Sequence, residues 1–134
     1  HAWADKYPDC GSFVVQAGVE HAKLEQATRT ILGEFKKMKR AEVSAAELSK
    51  AKSYIKGTRA IGLETSDSVA EQAASSLISL GRVRSLDEYL KGIEKVSADD
   101  VQRVARDIFK TERLNLAVIG PHTSPAKLLE QLKI

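Results

Sequence analysis

The sequence predicts an α+β fold, an antiparallel sheet packed against several helices, and three observations carry that expectation. Residues 1 to 19 alternate with period two, the signature of a β-hairpin. Most of the remainder repeats apolar residues at i, i+3, i+4 and i+7, the signature of amphipathic helices. Between Val96 and Pro121 a capped helix runs straight into the apolar stretch Leu114 to Ile119, which Gly120 and Pro121 close. That stretch reads as one later strand, and the helix before it as lying on the sheet.

The hairpin comes first. Trp3, Asp5 and Tyr7 share one face, Pro8-Asp9-Cys10-Gly11 breaks the run, and Phe13, Val15, Ala17 and Val19 share a face of the second strand. The second strand is the more apolar and is expected deeper in the sheet. Residues 22 to 40 then place Leu24, Ala27, Ile31, Phe35 and Met38 on one stripe of a long helix. Ser44 with Glu47 is a capping box that opens a second long helix, in which Leu48, Ala51, Ile55, Thr58 and Gly62 keep helical spacing. Gly57 and Gly62 are costly inside a helix and predict close packing or a bend. The run Thr65 to Ser68 caps a third helix with Val69, Ala70, Ala73, Leu77 and Leu80 buried, and Gly81 ends it. Ser85 caps a short helix with Leu86, Tyr89, Leu90 and Ile93 inward. Ser97, with Asp100 three residues on, starts the next, whose Val101, Val104, Ala105, Ile108 and Phe109 form an apolar side expected to pack on Leu114 to Ile119. Ser124-Pro125 begins a tail helix through Leu128, Leu129 and Leu132.

Composition narrows the function classes. The chain is 43% hydrophobic and 29% charged, which is globular and not disordered. No low-complexity linker divides it and no period repeats, so residues 1–134 read as a single domain. With no initiator Met at its start, the domain is expected to be partial, a piece of something longer. The net charge of +3 is spread along the helices. Its one basic cluster, Lys36 to Arg40, reads as a solvated helix end, where cations are favoured, and no nucleic-acid partner is expected. No apolar run approaches the roughly 20 residues of a membrane span, so no membrane partner is expected either.

Catalysis needs groups that converge, and no such cluster is visible. His1, His21 and His122 are isolated apart from His21 with Glu25, which reads as a surface pair and not as a metal site. One cysteine cannot form an internal disulfide, and Cys10 beside Asp9 lacks the electropositive surroundings of a reactive thiol. No Gly-rich phosphate loop, G-x-S-x-G elbow or C-x-x-C occurs. The residues themselves give no catalytic and no metal-binding site. Trp3 and Tyr7 serve either as cover for an apolar face or as a recognition surface, cover being the blander reading.

Several phrases in a fixed order carry a resemblance: GSFVVQAGVE, ILGEFKKM, Glu47-Leu48 followed by Lys50-Ala51-Lys52, Ser85-Leu86-Asp87-Glu88-Tyr89, Val96 through Ala105, and LAVIGP. Together, over nearly the whole chain, they resemble the insulinase or pitrilysin family of zinc peptidases. The resemblance implies two related α+β domains around a chamber, with zinc held by an H-x-x-E-H motif in the first and a metal-free second domain facing it. That motif occurs nowhere in this sequence, so the resemblance implies the later part of the non-catalytic C-terminal domain. The Arg and Tyr that engage substrate in relatives would fall before His1, and no catalytic residue is carried onto this chain.

The function so implied is a part of a zinc-dependent endopeptidase that closes the proteolytic chamber and helps bind extended peptide. No cofactor is expected in this chain, and zinc is implied for the missing N-terminal domain of the parent. The partners implied are that catalytic domain and, through the parent, a peptide substrate, with Trp3 and Tyr7 as candidate substrate-contacting residues. The alternative is a structural or interaction subunit of the same fold without activity, of the processing-peptidase or respiratory core-protein type. Three strands cannot cover the apolar sides of several helices, so self-association of the isolated chain is expected, with the Trp3 side of the hairpin as contact.

Overall fold

The computed structural model of the chain describes residues 1–121 and 126–134. Among them, two strands, β1 (Ala2–Lys6) and β2 (Gly11–Val15), are followed by α1 (Leu24–Arg40), α2 (Ala45–Ile61), α3 (Ser66–Leu80), α4 (Leu86–Lys95), α5 (Ala98–Ile108) and α6 (Ala126–Gln131). The fold is α+β. Ser124 and Pro125, the expected start of the tail helix, lie outside the described residues, as does His122.

The hairpin has the expected turn, and its second strand ends at Val15, before the expected Val19. Tyr7 N–H donates to the Cys10 carbonyl at 2.9 Å, and Gln16 N–H to the His1 carbonyl at 2.9 Å, which fixes the antiparallel register. Asp5 then faces Ser12, whose hydroxyl donates to its carboxylate at 3.1 Å. Gly11 is obligatory, because a Cβ there would stand 2.9 Å from the Asp5 carbonyl oxygen. Ala17 and Val19 fall outside β2, and Phe13 is 42% exposed, so the second strand is not the deeper one.

Leu114 to Ile119 is not a strand. Leu116 and Val118 are exposed and Ile119 wholly so, and the sheet has only β1 and β2 among the described residues. An apolar run provides side chains for a sheet, but its backbone groups also need a neighbouring strand. Here the chain leaves α5 through a tight turn at Thr111–Arg113, and Asn115 folds back to give its amide to the Arg113 carbonyl at 3.1 Å.

Residue contacts gather the chain into two compact units: His1–Trp3 with Val15–Val43 and Ala98–Ile134, and Ala4–Val14 with Ser44–Ser97. The first holds the core. Leu32, Ala105 and Phe109 are buried together with Thr28 and Gln102. Phe109 stacks on Phe35 of α1, ring centres 4.3 Å apart and planes 7° from parallel, while Ile108 is 37% exposed. The apolar side of α5 therefore packs on α1 and not on Leu114 to Ile119; a helical stripe demands a partner without naming it. Both buried polar groups are satisfied. The Thr28 hydroxyl donates to the Leu24 carbonyl at 3.0 Å, and Gln102 and Arg106 donate to the Lys39 carbonyl at 3.3 and 2.9 Å. Those two bonds close the C-terminal end of α1, where Lys37, Lys39 and Arg40 also suit the negative helix pole. At the far end of the chain the Thr111 hydroxyl donates to the Ile134 carbonyl at 3.0 Å and accepts from its N–H at 3.1 Å.

The second unit carries α2, α3 and α4. Ser44, Thr65 and Ser85 accept from Glu47, Ser68 and Glu88 N–H groups, each at 3.2 Å, so three starts legible in the sequence are capped as expected. Gly81 ends α3 at φ 70°, its N–H on the Leu77 carbonyl at 2.9 Å. Lys56 pairs with Glu94, and Lys52 donates to the Glu94 carbonyl at 2.7 Å, which ties α2 to α4. One expectation fails here, and one half of another. Val69, Leu77 and Leu80, assigned to the buried side of α3, are at least half exposed. Gly57 has nothing within 4 Å of where a Cβ would stand, so close packing does not explain it.

Candidate functional site

Any site on this chain must come from its surfaces, and the hairpin is where the sequence places it. Trp3 lies on β1, half-buried, with the His1 ring 5.6 Å away and tilted by 32°. The backbone nitrogen of His1 donates to the Gln16 carbonyl at 2.9 Å, the reciprocal of the Gln16 N–H to His1 carbonyl bond, as in an antiparallel pair. Tyr7 follows β1 at the turn, and its side chain is 63% exposed. Among the described residues the sheet has two strands, so each has an outer edge with no further strand beside it.

A shallow groove lies beyond β2 in the first unit. Ala17, Gly18, Val19 and Glu20 form one wall, and Gln26, Ala27, Thr30 and Ile31 of α1 the other. Residues 16 to 20 are outside any strand or helix, so this wall offers backbone as well as apolar side chains. Such a lining suits an extended chain, with main-chain groups for hydrogen bonds and small side chains that permit close approach. Sequence reasoning missed it, because Ala17 and Val19 read as strand interior.

Among the described residues no three of His, Cys, Asp and Glu converge to hold a metal ion. Glu25 meets Arg29 at 3.7 Å and the Gln131 amide at 3.5 Å. Cys10 is an exposed free thiol in the hairpin turn. No helix among the described residues is long and apolar enough to cross a membrane.

The clearest electrostatic feature is in the second unit. Arg82 makes a two-pronged pair with Glu88, one prong at 2.8 Å. The hydrogen bonds from Arg82 hold the Glu88 carboxyl below its usual range, with the charges of Arg82 and Arg84 adding to them, and Glu88 raises Arg82 in turn. A lowered carboxyl contributes stability that is present above the unfolded-state pKa and is lost as pH falls through the folded one. Glu88→Gln is therefore expected to flatten the loss of stability below about pH 4.3, read from melting temperatures at several pH values. The effect should be small and shrink with salt, since both side chains are solvated.

Comparison with known proteins places these features in context. No family model matches the chain. An uncharacterized zinc protease of Mycobacterium tuberculosis is 30% identical over 129 residues, which is 96% of this chain and 29% of that protein. An uncharacterized zinc protease of Bacillus subtilis is 28% identical over 121 residues, 90% of this chain and 29% of that protein. The mitochondrial-processing peptidase subunit beta of Saccharomyces cerevisiae is 24% identical over 110 residues, 82% of this chain and 24% of that subunit. The chain thus spans less than a third of the length of these curated relatives. Over most of its own length it is a homologue of proteins named zinc proteases and of a processing-peptidase subunit, consistent with an insulinase-like family.

Proposed function

We propose that the chain is a metal-free part of a zinc-dependent endopeptidase, which closes the proteolytic chamber and helps hold an extended peptide while another domain supplies zinc, base and water. The observation that carries this is the mismatch in coverage. Nearly all of this chain aligns with under a third of proteins named zinc proteases, while no metal-binding group is found among its described residues. In this reading residues 1–134 act as one partial domain, and the hairpin edge, with Trp3 and Tyr7, is the surface for peptide. Zinc belongs to the other domain, where it would activate water.

The test is steady-state kinetics of the whole gene product on an unstructured peptide. Tyr7→Ala, at an exposed position, is expected to raise KM several-fold with kcat retained. Unchanged KM in both Tyr7→Ala and Trp3→Ala would remove these residues from the substrate surface. The same open edges favour pairing with a second copy, so the chain by itself should scatter light as a dimer or larger species at micromolar concentration. A monomer would contradict that part of the proposal. The second reading is a structural or interaction subunit of the same fold without activity; the similarity to a protein named as a peptidase subunit supports the subunit part of that reading and leaves activity to the kinetic test.

A further inference from the structure

The second unit places two cations on one aromatic ring. The guanidinium carbons of Arg59, from α2, and Arg84, from the loop before α4, lie 5.1 and 4.8 Å from the centroid of the Tyr89 ring. The two charges are therefore no farther apart than about one Debye length at 0.1 M salt. Among the described residues neither has a carboxylate within salt-bridge distance, and the Arg59 Nε is buried with no hydrogen-bond partner. The nearby Glu88 is already taken by both prongs of Arg82.

Arg84 is also held in place. The Ser76 hydroxyl of α3 accepts from Arg84 N–H at 2.9 Å and donates to the Arg82 carbonyl at 3.0 Å, and Gly81 turns the chain just before. Cation–π contact alone explains why each guanidinium rests on the ring. It does not explain two like charges gathered on one ring beside one carboxylate, Glu88, that Arg82 already pairs, nor a donor atom buried without an acceptor. A guanidinium held over a ring by its charge can keep N–H donors of its planar fork for a carboxylate or phosphate.

We propose that Arg59 and Arg84, both over the Tyr89 ring, form an oxyanion-binding site that takes a carboxylate or a phosphate group. Neither the hairpin surface nor zinc chemistry enters this proposal, and it stands or falls apart from them. The test follows the Arg side-chain Nε–H signals of the chain by NMR during titration with inorganic phosphate and, separately, with N-acetylglutamate. The Arg59 Nε–H signal is expected to shift and saturate in the millimolar range, with the midpoint weakening as NaCl is raised. Arg84→Gln should weaken that midpoint by at least about tenfold, and Lys36→Gln, on the other unit, should leave it unchanged. Saturation with only one of the two probes supports the site and assigns its anion. Shifts that stay linear to tens of millimolar with both probes, or a midpoint that Arg84→Gln leaves alone, would overturn it. Arg84→Gln leaves the half-buried Arg59 in place, so the decision does not depend on whether an Arg59 variant folds.

Discussion

Phe109→Ala is expected to destabilise the chain by about 3–5 kcal/mol, the largest effect of any single substitution considered. The ring is 5% exposed and lies face to face with Phe35, so truncation removes both its burial and its stacking partner. The cavity would open between α1 and α5, two helices that also share the Gln102 and Arg106 bonds to Lys39. Little else in the described structure is as deeply buried, which limits how far neighbours can refill the space. Against a total stability of about 5–15 kcal/mol, this variant would be close to unfolded at physiological temperature. Urea denaturation reads it directly, and an unchanged midpoint would show that the contact between α1 and α5 is assigned wrongly.

Leu32→Ala is expected to cost about 2–5 kcal/mol, whereas Leu77→Ala should stay within about 0.5 kcal/mol. Leu32 is 6% exposed on α1 and Leu77 is 53% exposed on α3. The two changes delete the same atoms from the same kind of helix, so their difference isolates burial. Thermal melts at low protein concentration compare them without the complication of self-association. Equal losses would mean that the face of α3 carrying Leu77 is covered.

These two leucines also show where the sequence is legible and where it is not. Helix starts were readable because a cap is local chemistry: Ser44, Thr65 and Ser85 need only a backbone N–H three residues on. Gly81 was readable for the same reason, since a helix that ends in the left-handed region favours glycine. Partners were less readable. The stripe Leu24, Ala27, Ile31, Phe35 and Met38 gives the inward side of α1, but its deepest residues are Thr28 and Leu32, one step around the helix. Thr28 escaped notice as a polar residue, although its hydroxyl is satisfied by the Leu24 carbonyl within its own helix. Leu77 sits on an equally good pattern that finds no cover among the described residues. Leu114 to Ile119 had a strand's composition without a strand's neighbour. As for the sites, Trp3 and Tyr7 stand out by residue type alone, but the cluster of Arg59, Arg84 and Tyr89 draws on residues up to thirty positions apart and has no spacing that sequence could flag.

The central proposal, that this chain is the metal-free part of a zinc peptidase, is tested most directly by elemental analysis. The 134-residue chain and the whole gene product that carries it would each be dialysed against a weak chelator and assayed for zinc per polypeptide. The account predicts stoichiometric zinc in the whole protein and none in the chain, because a catalytic site requires three converging protein ligands. Stoichiometric zinc on the chain by itself would contradict it, and a whole protein free of zinc would leave the structural-subunit reading in its place.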